Sequence, residues 1–336
     1  MSGEPLSLAL SPEAVLSSEN EGGDPAFRDS GDIEPISAAE SAQSATQVVA
    51  KRTTVSDLVM LAKPRITVVV LATALAGYFF AGPATGEALP GLIVGTTLIV
   101  GGANALNMWI ERDSDRFMSR TKSRPLPAGR MAPWVALVFG LVLTAVSIPV
   151  LLLSTNAMTT LLAVIANVSY VAMYTPLKRR SWTAVLVGGV PGAMPPLMGW
   201  AAATGGISAV GVSLFLLMFA WQVPHFHAIA LFRREEYERA GLVVLPNVWG
   251  VAPTLLQITS WTVLLVSTSL LPFFLGATSV FYLIVALVLG LAFIALSFAG
   301  FTSKSVERWA RSFFGFSIPY MIAVFAAMIA TRLPNH

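Results

Sequence analysis

Nine long apolar runs constrain the possible fold of this chain more than any other feature of its sequence. Each run is about 20 residues long, enough for a helix to cross ~30 Å of hydrocarbon. The runs cover residues 65–82, 89–109, 133–153, 157–174, 182–203, 208–229, 252–273, 277–300 and 312–331. Backbone groups in lipid must form hydrogen bonds internally, and these runs are too long for barrel strands. The sequence therefore predicts an all-α membrane protein, a bundle of nine transmembrane helices.

Positive charges are distributed unevenly between the segments that flank these runs. Of the 21 Lys and Arg residues, 20 precede or open the first run or lie in alternate loops, and only Arg332 follows the last run. Cytoplasmic loops carry the excess of Lys and Arg in membrane proteins. The distribution predicts a cytoplasmic N-terminus and places the charged loops on the cytoplasmic side.

The N-terminal segment differs in composition from the rest of the chain. It is rich in Ser, Ala, Glu, Gly and Pro, and it lacks the basic region and long apolar core of a signal peptide. We expect residues 1–52 to form a disordered polar cytoplasmic tail and residues 53–332 to form the membrane domain. Because the chain has no Cys, disulfides, thiolate metal sites and a cysteine nucleophile are excluded.

A stripe of polar residues ends the second apolar run. Asn104, Asn107, Glu111 and Asp115 are spaced by three, four and four residues, so a helix presents them on one side. Ionisable groups at membrane depth are costly and usually face a cavity lined by protein. Oxygen ligands of this kind suit Mg²⁺, which is typically bound by one or two carboxylates together with substrate phosphates.

Cations follow this stripe directly. Arg120, Lys122 and Arg124 supply enough positive charge to hold a diphosphate. The alternative is a solvated helix end whose cations only set membrane orientation. That alternative accounts for Arg112 and Arg116, but it accounts poorly for the Asn–Asn–Glu–Asp stripe.

A second acidic cluster lies in the segment 221–246. Its charges alternate in sign: Arg233, Arg234, Glu235, Glu236, Glu238 and Arg239. Two acidic clusters on one side of a bundle could each hold a metal ion, with a diphosphate bridging the two ions. Alternating charges on a short helix usually form a solvated face, and for this cluster that alternative is the stronger one.

The histidines are few. His225 and His227 are two residues apart, so a helix would point them to different sides and a joint metal site is not expected. His225 follows Pro224 and could contact a substrate or act in acid–base chemistry. A hydrogen-bonded structural role is the alternative for His225.

A third polar segment joins the fourth and fifth runs. Lys178 and Arg179 add cations there, and the glycines and prolines that follow predict an irregular helix. Small residues allow close helix packing, and they would equally leave room for a bulky flat ligand. The sequence leaves both interpretations open.

Seven sequence motifs are distributed over about residues 56–331. They are LAKPR at 61–65, N-x-x-x-E-x-x-x-D at 107–115, SRTKSRPLPAGR at 119–130, YTPLKR at 174–179, GAMPPLMGW at 192–200, WQVPHFHAIALFRREEY at 221–237 and AGLVVLP at 240–246. In these motifs the chain resembles the UbiA-type intramembrane prenyltransferases, and among them the protoheme IX farnesyltransferase (heme O synthase) family. The last two motifs indicate heme as the acceptor. Glu111 and Glu236 depart from the resemblance, because aspartate is usual at both positions.

The resemblance implies a role for each candidate residue. The implied catalytic residues are Asn107, Glu111, Asp115, Arg120, Lys122, Arg124, Lys178 and Glu236, of which Asn107, Glu111, Asp115 and Glu236 would hold Mg²⁺. The implied substrate-binding residues are Asn104, Arg65, Tyr170, Tyr174, Arg179, His225, Arg233 and Tyr237. The cations would stabilise a leaving diphosphate, and the tyrosine rings would shield an allylic cation.

The resemblance also implies a reaction, its location and its partners. Farnesyl diphosphate would prenylate a vinyl group of heme B with addition of water, giving heme O, so that heme B is a substrate and not a cofactor. The enzyme would lie in a bacterial-type inner membrane with its site on the cytoplasmic side. We expect heme A synthase or terminal-oxidase assembly factors as partners, besides the lipid bilayer, and no nucleic acid.

Three alternatives remain open from the sequence. Prenylation of an aromatic or quinone precursor would use the same metal and diphosphate residues. A transporter would need polar groups in both halves of the membrane, yet the opposite loops are short and uncharged except for Glu87. A heme-binding scaffold with His225 or His227 as axial ligand would leave the acidic stripe unexplained.

Overall fold

The structure, a computed structural model, describes residues 53–82, 85–118 and 121–333. The predicted tail, residues 1–52, lies outside this part of the chain, as does Arg120. The helices of the described residues are α1 (Val55–Leu61), α2 (Pro64–Ala81), α3 (Ala88–Glu111), α4 (Pro133–Ser154), α5 (Ala157–Leu177), α6 (Ala184–Thr204), α7 (Ala209–Phe232), α8 (Arg234–Arg239), α9 (Leu245–Val248), α10 (Val251–Phe274), α11 (Val280–Phe298) and α12 (Val306–Ala330).

Nine of the helices in these ranges, α2–α7 and α10–α12, are long and apolar enough to cross a membrane. The predicted all-α bundle of nine spans is confirmed. The largest difference is at α12, which begins at Val306 and not near residue 312. The Ser305 side chain caps this helix by accepting a hydrogen bond from the Arg308 backbone N–H. A hydropathy pattern misses this first part of α12 because it is charged.

A π-helical turn interrupts α5 near its end. In Ser169–Tyr174 the Thr175 backbone N–H bonds to the carbonyl of Tyr170, five residues back, before the helix continues to Leu177. Such turns contain one extra residue and are frequent at functional sites.

Helices α2 and α6 approach each other closely. A Cβ atom on Gly77 would overlap the Pro196 carbonyl, and one on Gly199 would overlap the Ala74 carbonyl. Only glycine permits this backbone-to-backbone contact. At these positions the small residues of α6 therefore serve helix packing.

The short helix α1 is linked to the segment between α3 and α4. Thr54 and Asp57 form a capping box at the start of α1. The Asp57 carboxylate also accepts a hydrogen bond from Arg130 Nε at 3.1 Å, and Arg130 donates to the Ser123 carbonyl at 3.0 Å. The segment that carries Lys122 and Arg124 is thereby tied to the start of the membrane domain.

Candidate active site

The acidic stripe is buried at the end of α3. Asn107 is 1% exposed and Glu111 is 6% exposed on the last turns of the helix. The helix ends at Glu111, and Asp115, 4% exposed, opens a separate 3-10 turn. Asn104 is also buried, and its side-chain amide donates to the Ala62 carbonyl at 3.2 Å.

Three cations from three different segments contact this stripe. Lys63 Nζ donates to Asn107 Oδ1 at 2.7 Å, and Arg124 donates to Asp115 Oδ2 at 2.6 Å. Lys178 forms an ion pair with Glu111 Oε1. A buried carboxylate without a partner is strongly disfavoured, so these contacts explain how both acids are tolerated in an apolar bundle.

Lys63 is a site residue that the sequence interpretation missed. It has φ of 48°, the one positive φ at a non-glycine residue in the described part of the chain, and it precedes Pro64 at the start of α2. Burial, followed by the nearby charge of Arg124, lowers the pKa of Lys63 to about 7. Its position before a helix-opening proline, in LAKPR, was the available signal. The sequence interpretation named Arg65 of the same motif, and that residue is exposed.

The π-helical turn of α5 faces the same stripe. Asn107 Nδ2 donates to Thr175 Oγ1 at 3.1 Å, and Thr175 Oγ1 donates to the Tyr170 carbonyl at 2.8 Å. The rings of Tyr170 and Tyr174 stack with centroids 5.6 Å apart. Lys178 Nζ lies 5.5 Å from the Tyr174 ring centroid, so this aromatic pair borders the ion-paired carboxylate.

The second acidic cluster divides into exposed and half-buried members. Glu235 and Glu238 are exposed, as a solvated face requires. Glu236 is half-buried and accepts a hydrogen bond from Arg233 at 2.7 Å. The segment after α8 reaches the first site through its backbone, because the Val243 N–H donates to the Lys178 carbonyl at 3.2 Å.

His225 has a defined orientation between α7 and α12. Its Nδ1 lies 2.6 Å from Ser317 Oγ, and the Ser317 hydroxyl donates its own proton to the Phe314 carbonyl at 2.7 Å. With the Ser317 proton directed at Phe314, Nδ1 would carry the ring proton and Nε2 would be left as an acceptor. The Trp221 ring stacks on the imidazole at 4.4 Å. His227 is buried, and its Nε2 has no hydrogen bond within the described residues.

The remaining predicted residues are less constrained. Lys122 and Arg179 are exposed, and Tyr237 is half-buried in α8. Arg120 lies outside the described residues.

The buried stripe fits a hard divalent cation when phosphate oxygens complete the ligand set. The described residues contain no group of three or more His, Cys, Asp or Glu that could hold a metal alone. Asn107, Glu111 and Asp115 nevertheless offer one amide and two carboxylates, which is the usual protein share of a Mg²⁺–diphosphate site.

Comparison with known proteins identifies the family. The model of the UbiA prenyltransferase family matches residues 70–318. A protoheme IX farnesyltransferase of Myxococcus xanthus (strain DK1622) is 49% identical over 285 residues, which are 84% of this chain and 97% of the relative. One of Sorangium cellulosum (strain So ce56) is 51% identical over 237 residues, or 70% and 85% of the two chains.

Solved structures share the fold. A structure of digeranylgeranylglyceryl phosphate synthase has a TM-score of 0.72 at 21% identity, covering 82% of this chain and 97% of its own. A UbiA homolog from Archaeoglobus fulgidus bound to GPP and Mg²⁺ has a TM-score of 0.58 at 18% identity, covering 81% and 99%. The chain is thus an integral multi-pass membrane protein that belongs to the UbiA prenyltransferase family, among the protoheme IX farnesyltransferases.

Proposed function

We propose that this chain transfers the farnesyl group of farnesyl diphosphate to a vinyl group of protoheme IX, with addition of water, and so makes heme O. The observation that carries the proposal is the buried Asn107–Glu111–Asp115 stripe, with its three cations, at one end of the helix bundle. The names of relatives up to 51% identical support heme as the acceptor.

The stripe binds the diphosphate together with Mg²⁺. Asn107, Glu111 and Asp115 would hold the metal, and Glu236 would contribute from the second cluster. When bound, the metal supplies positive charge that offsets the charge of the leaving diphosphate.

The cations around the stripe act on the same leaving group. Lys63, Arg124 and Lys178 already lie against the stripe, and Arg120 and Lys122 belong to the segment that carries Arg124. Fixed charges directed at developing charge usually make the largest contribution to catalysis.

The reaction needs no protein nucleophile. The bond between C1 of the farnesyl group and oxygen breaks, and its electron pair leaves with the diphosphate. The stacked rings of Tyr170 and Tyr174 stabilise the allylic cation through their faces. The electrons of the heme vinyl group form the new bond to C1, and water adds to the resulting cation and loses a proton.

Heme B binds as substrate beside the second cluster. We assign His225, Arg233 and Tyr237 to this contact. The hydrogen bond between His225 and Ser317 supports this role, because it fixes the orientation of the imidazole ring. Asn104, Arg65 and Arg179 complete the proposed substrate-binding set.

The cellular setting follows from the same proposal. We infer that the chain lies in a bacterial-type inner membrane, with its N-terminus and active site on the cytoplasmic side, because the cations concentrate at that end. Heme O would then pass to heme A synthase or to factors that assemble terminal oxidases.

The test is a product assay on the full chain in detergent, supplied with heme B, farnesyl diphosphate and Mg²⁺. Mass spectrometry should detect heme that has gained a farnesyl group and a hydroxyl group. The variant Glu111→Gln should lower the rate by roughly 10²–10³-fold, because it removes charge directed at the metal and Lys178. The control Glu307→Gln removes an exposed carboxylate at the start of α12 and should keep full activity.

Other outcomes would favour the alternatives. Unchanged heme, with prenylation of a quinone precursor by the same preparation, would retain the metal site and replace the acceptor. Heme binding without any turnover would point to a scaffold. Movement of a substrate across proteoliposomes, again without turnover, would point to a transporter.

A further inference from the structure

Asn107 differs from the other proposed metal ligands because its side chain can be oriented in two ways. A carboxamide has an oxygen that accepts hydrogen bonds and a nitrogen that donates them, and a half-turn of the group exchanges the two atoms. Asn107 is 1% exposed, so its surroundings in the protein determine the orientation. Only the oxygen can face a cation, so this orientation decides whether Asn107 can bind a metal ion.

Two contacts on opposite atoms of the amide fix its orientation. Lys63 Nζ lies 2.7 Å from Oδ1, and an ammonium group has only donors, so the atom that faces it must be the oxygen. On the other side, Asn107 Nδ2 donates to Thr175 Oγ1 at 3.1 Å. Thr175 is 1% exposed, like Asn107. The amide is thus held between a cation and a hydroxyl that accepts.

The Thr175 hydroxyl is suited to accept because its own proton has another acceptor. Thr175 Oγ1 donates to the Tyr170 carbonyl at 2.8 Å, and the same carbonyl accepts the Thr175 backbone N–H in the π-helical turn. A regular α-helix would pair that N–H with the carbonyl of Val171, four residues back. The wide turn therefore anchors Thr175 twice on one carbonyl and leaves its hydroxyl oxygen free to accept from Asn107.

We propose that Thr175 is a positioning residue, which holds the Asn107 amide with its oxygen directed at cations. This inference rests on the proposed function, in which Asn107 is a metal ligand. Without the hydroxyl, the Asn107 NH₂ group would lose its buried acceptor, and the amide could turn its donors toward Lys63. An NH₂ group cannot bind a metal ion in place of the oxygen. Removing a contact that orients a metal ligand typically weakens metal binding by about 10–100-fold.

The experiment measures binding of Mn²⁺ to the full chain in detergent with inorganic diphosphate, from the electron paramagnetic resonance signal of free Mn²⁺. Thr175→Val removes the hydroxyl, keeps the branched shape of the side chain, and should weaken binding by about tenfold or more. Thr175→Ser keeps the hydroxyl and should retain the affinity of the wild type. Thr160→Val is the matched control, because Thr160 is also buried on α5 and its hydroxyl donates to the Asn156 carbonyl at 2.9 Å.

A double-mutant cycle tests whether Thr175 acts through Asn107. Asn107→Ala should weaken Mn²⁺ binding, and adding Thr175→Val to it should cause little further loss, because both substitutions affect one ligand. Thr175→Ala offers a second variant without the hydroxyl and should show the same loss as Thr175→Val. Losses of Thr175→Val and Asn107→Ala that simply add would overturn the proposal.

The outcomes separate this inference from the proposed function. Mn²⁺ binding that is equally strong in wild type and Thr175→Val would overturn the role of Thr175 alone. No Mn²⁺ binding by wild type in the presence of diphosphate would overturn the metal site and the role of Thr175 with it. The expected losses of affinity in a protein that does not prenylate heme would support the role of Thr175 and contradict only the proposed acceptor.

Discussion

At the scale of single residues, the acidic stripe is neutralised by protein cations. Lys63, Arg124 and Lys178 come from the start of α2, the α3–α4 segment and the end of α5. Their partners could not be read from the sequence, because each pair joins residues that only the folded chain brings together. The acids themselves were predictable from their helical spacing.

Lys63 and Arg65 form a matched pair for testing the first cation. We expect Lys63→Gln to lower the rate of product formation by about 10²-fold, because it removes charge held 2.7 Å from Asn107. Arg65→Gln, at an exposed position that remains a predicted substrate contact, should have a smaller effect. Steady-state rates at saturating farnesyl diphosphate would measure both. If Arg65→Gln lowered the rate more than Lys63→Gln, Arg65 and not Lys63 would be the cation of this motif that acts on the diphosphate.

At the scale of helices and connecting segments, hydropathy predicted the spans but not their irregular parts. The runs at 133–153 and 252–273 match α4 and α10 to within one residue at each end. The charged first turn of α12 and the π-helical turn of α5 were not predicted. The Ser305 cap and the hydrogen bond between Asn107 and Thr175 accompany these features, and a hydropathy pattern detects neither contact.

The link between α1 and the α3–α4 segment should depend on pH. The hydrogen bond from the Thr54 side chain, assisted by Arg130, outweighs burial and holds the pKa of Asp57 below its usual value. A carboxyl whose pKa is lowered on folding stabilises the protein above its unfolded pKa of about 3.9, and this contribution is lost as pH falls through the folded pKa.

The variant Asp57→Asn should therefore unfold at a lower temperature than wild type at pH 7, and the difference should shrink below about pH 4. Thermal unfolding in detergent across this range would measure it. Asp113→Asn serves as control, because the Asp113 side chain is 73% exposed and its nearest cation is 3.8 Å away. An equal effect of both substitutions would contradict the assigned link.

The contact between α2 and α6 provides a test of packing. Gly199→Ala would force a methyl group against the Ala74 carbonyl and should destabilise the fold by about 1–3 kcal/mol. Gly206→Ala is the control, since no described atom lies within 4 Å of the added carbon. The unfolding temperatures of both variants would measure this loss of stability. Equal unfolding temperatures of the two variants would show that α2 and α6 can move apart without loss of stability.

At the scale of the whole molecule, we expect the proposed active site to assemble without help from a metal. Because Lys63, Arg124 and Lys178 already contact the buried amide and acids, removing divalent ions should leave the helix bundle stable. Chelation with EDTA is expected to abolish product formation while the unfolding temperature stays the same. Sites in which metal binding is coupled to folding behave in the opposite way. A marked drop in unfolding temperature would show that the cations are insufficient.

The π-helical turn in α5 sets the direction in which the residues after it face. If Ser169–Tyr174 formed a regular α-helix with the same number of residues, no wide turn would absorb the extra residue. Every residue after the turn would then rotate by about 100° around the helix axis. Thr175 would turn away from Asn107, and Lys178 would turn away from Glu111. The proposed active site thus depends on the width of one helical turn as much as on the side chains that follow it.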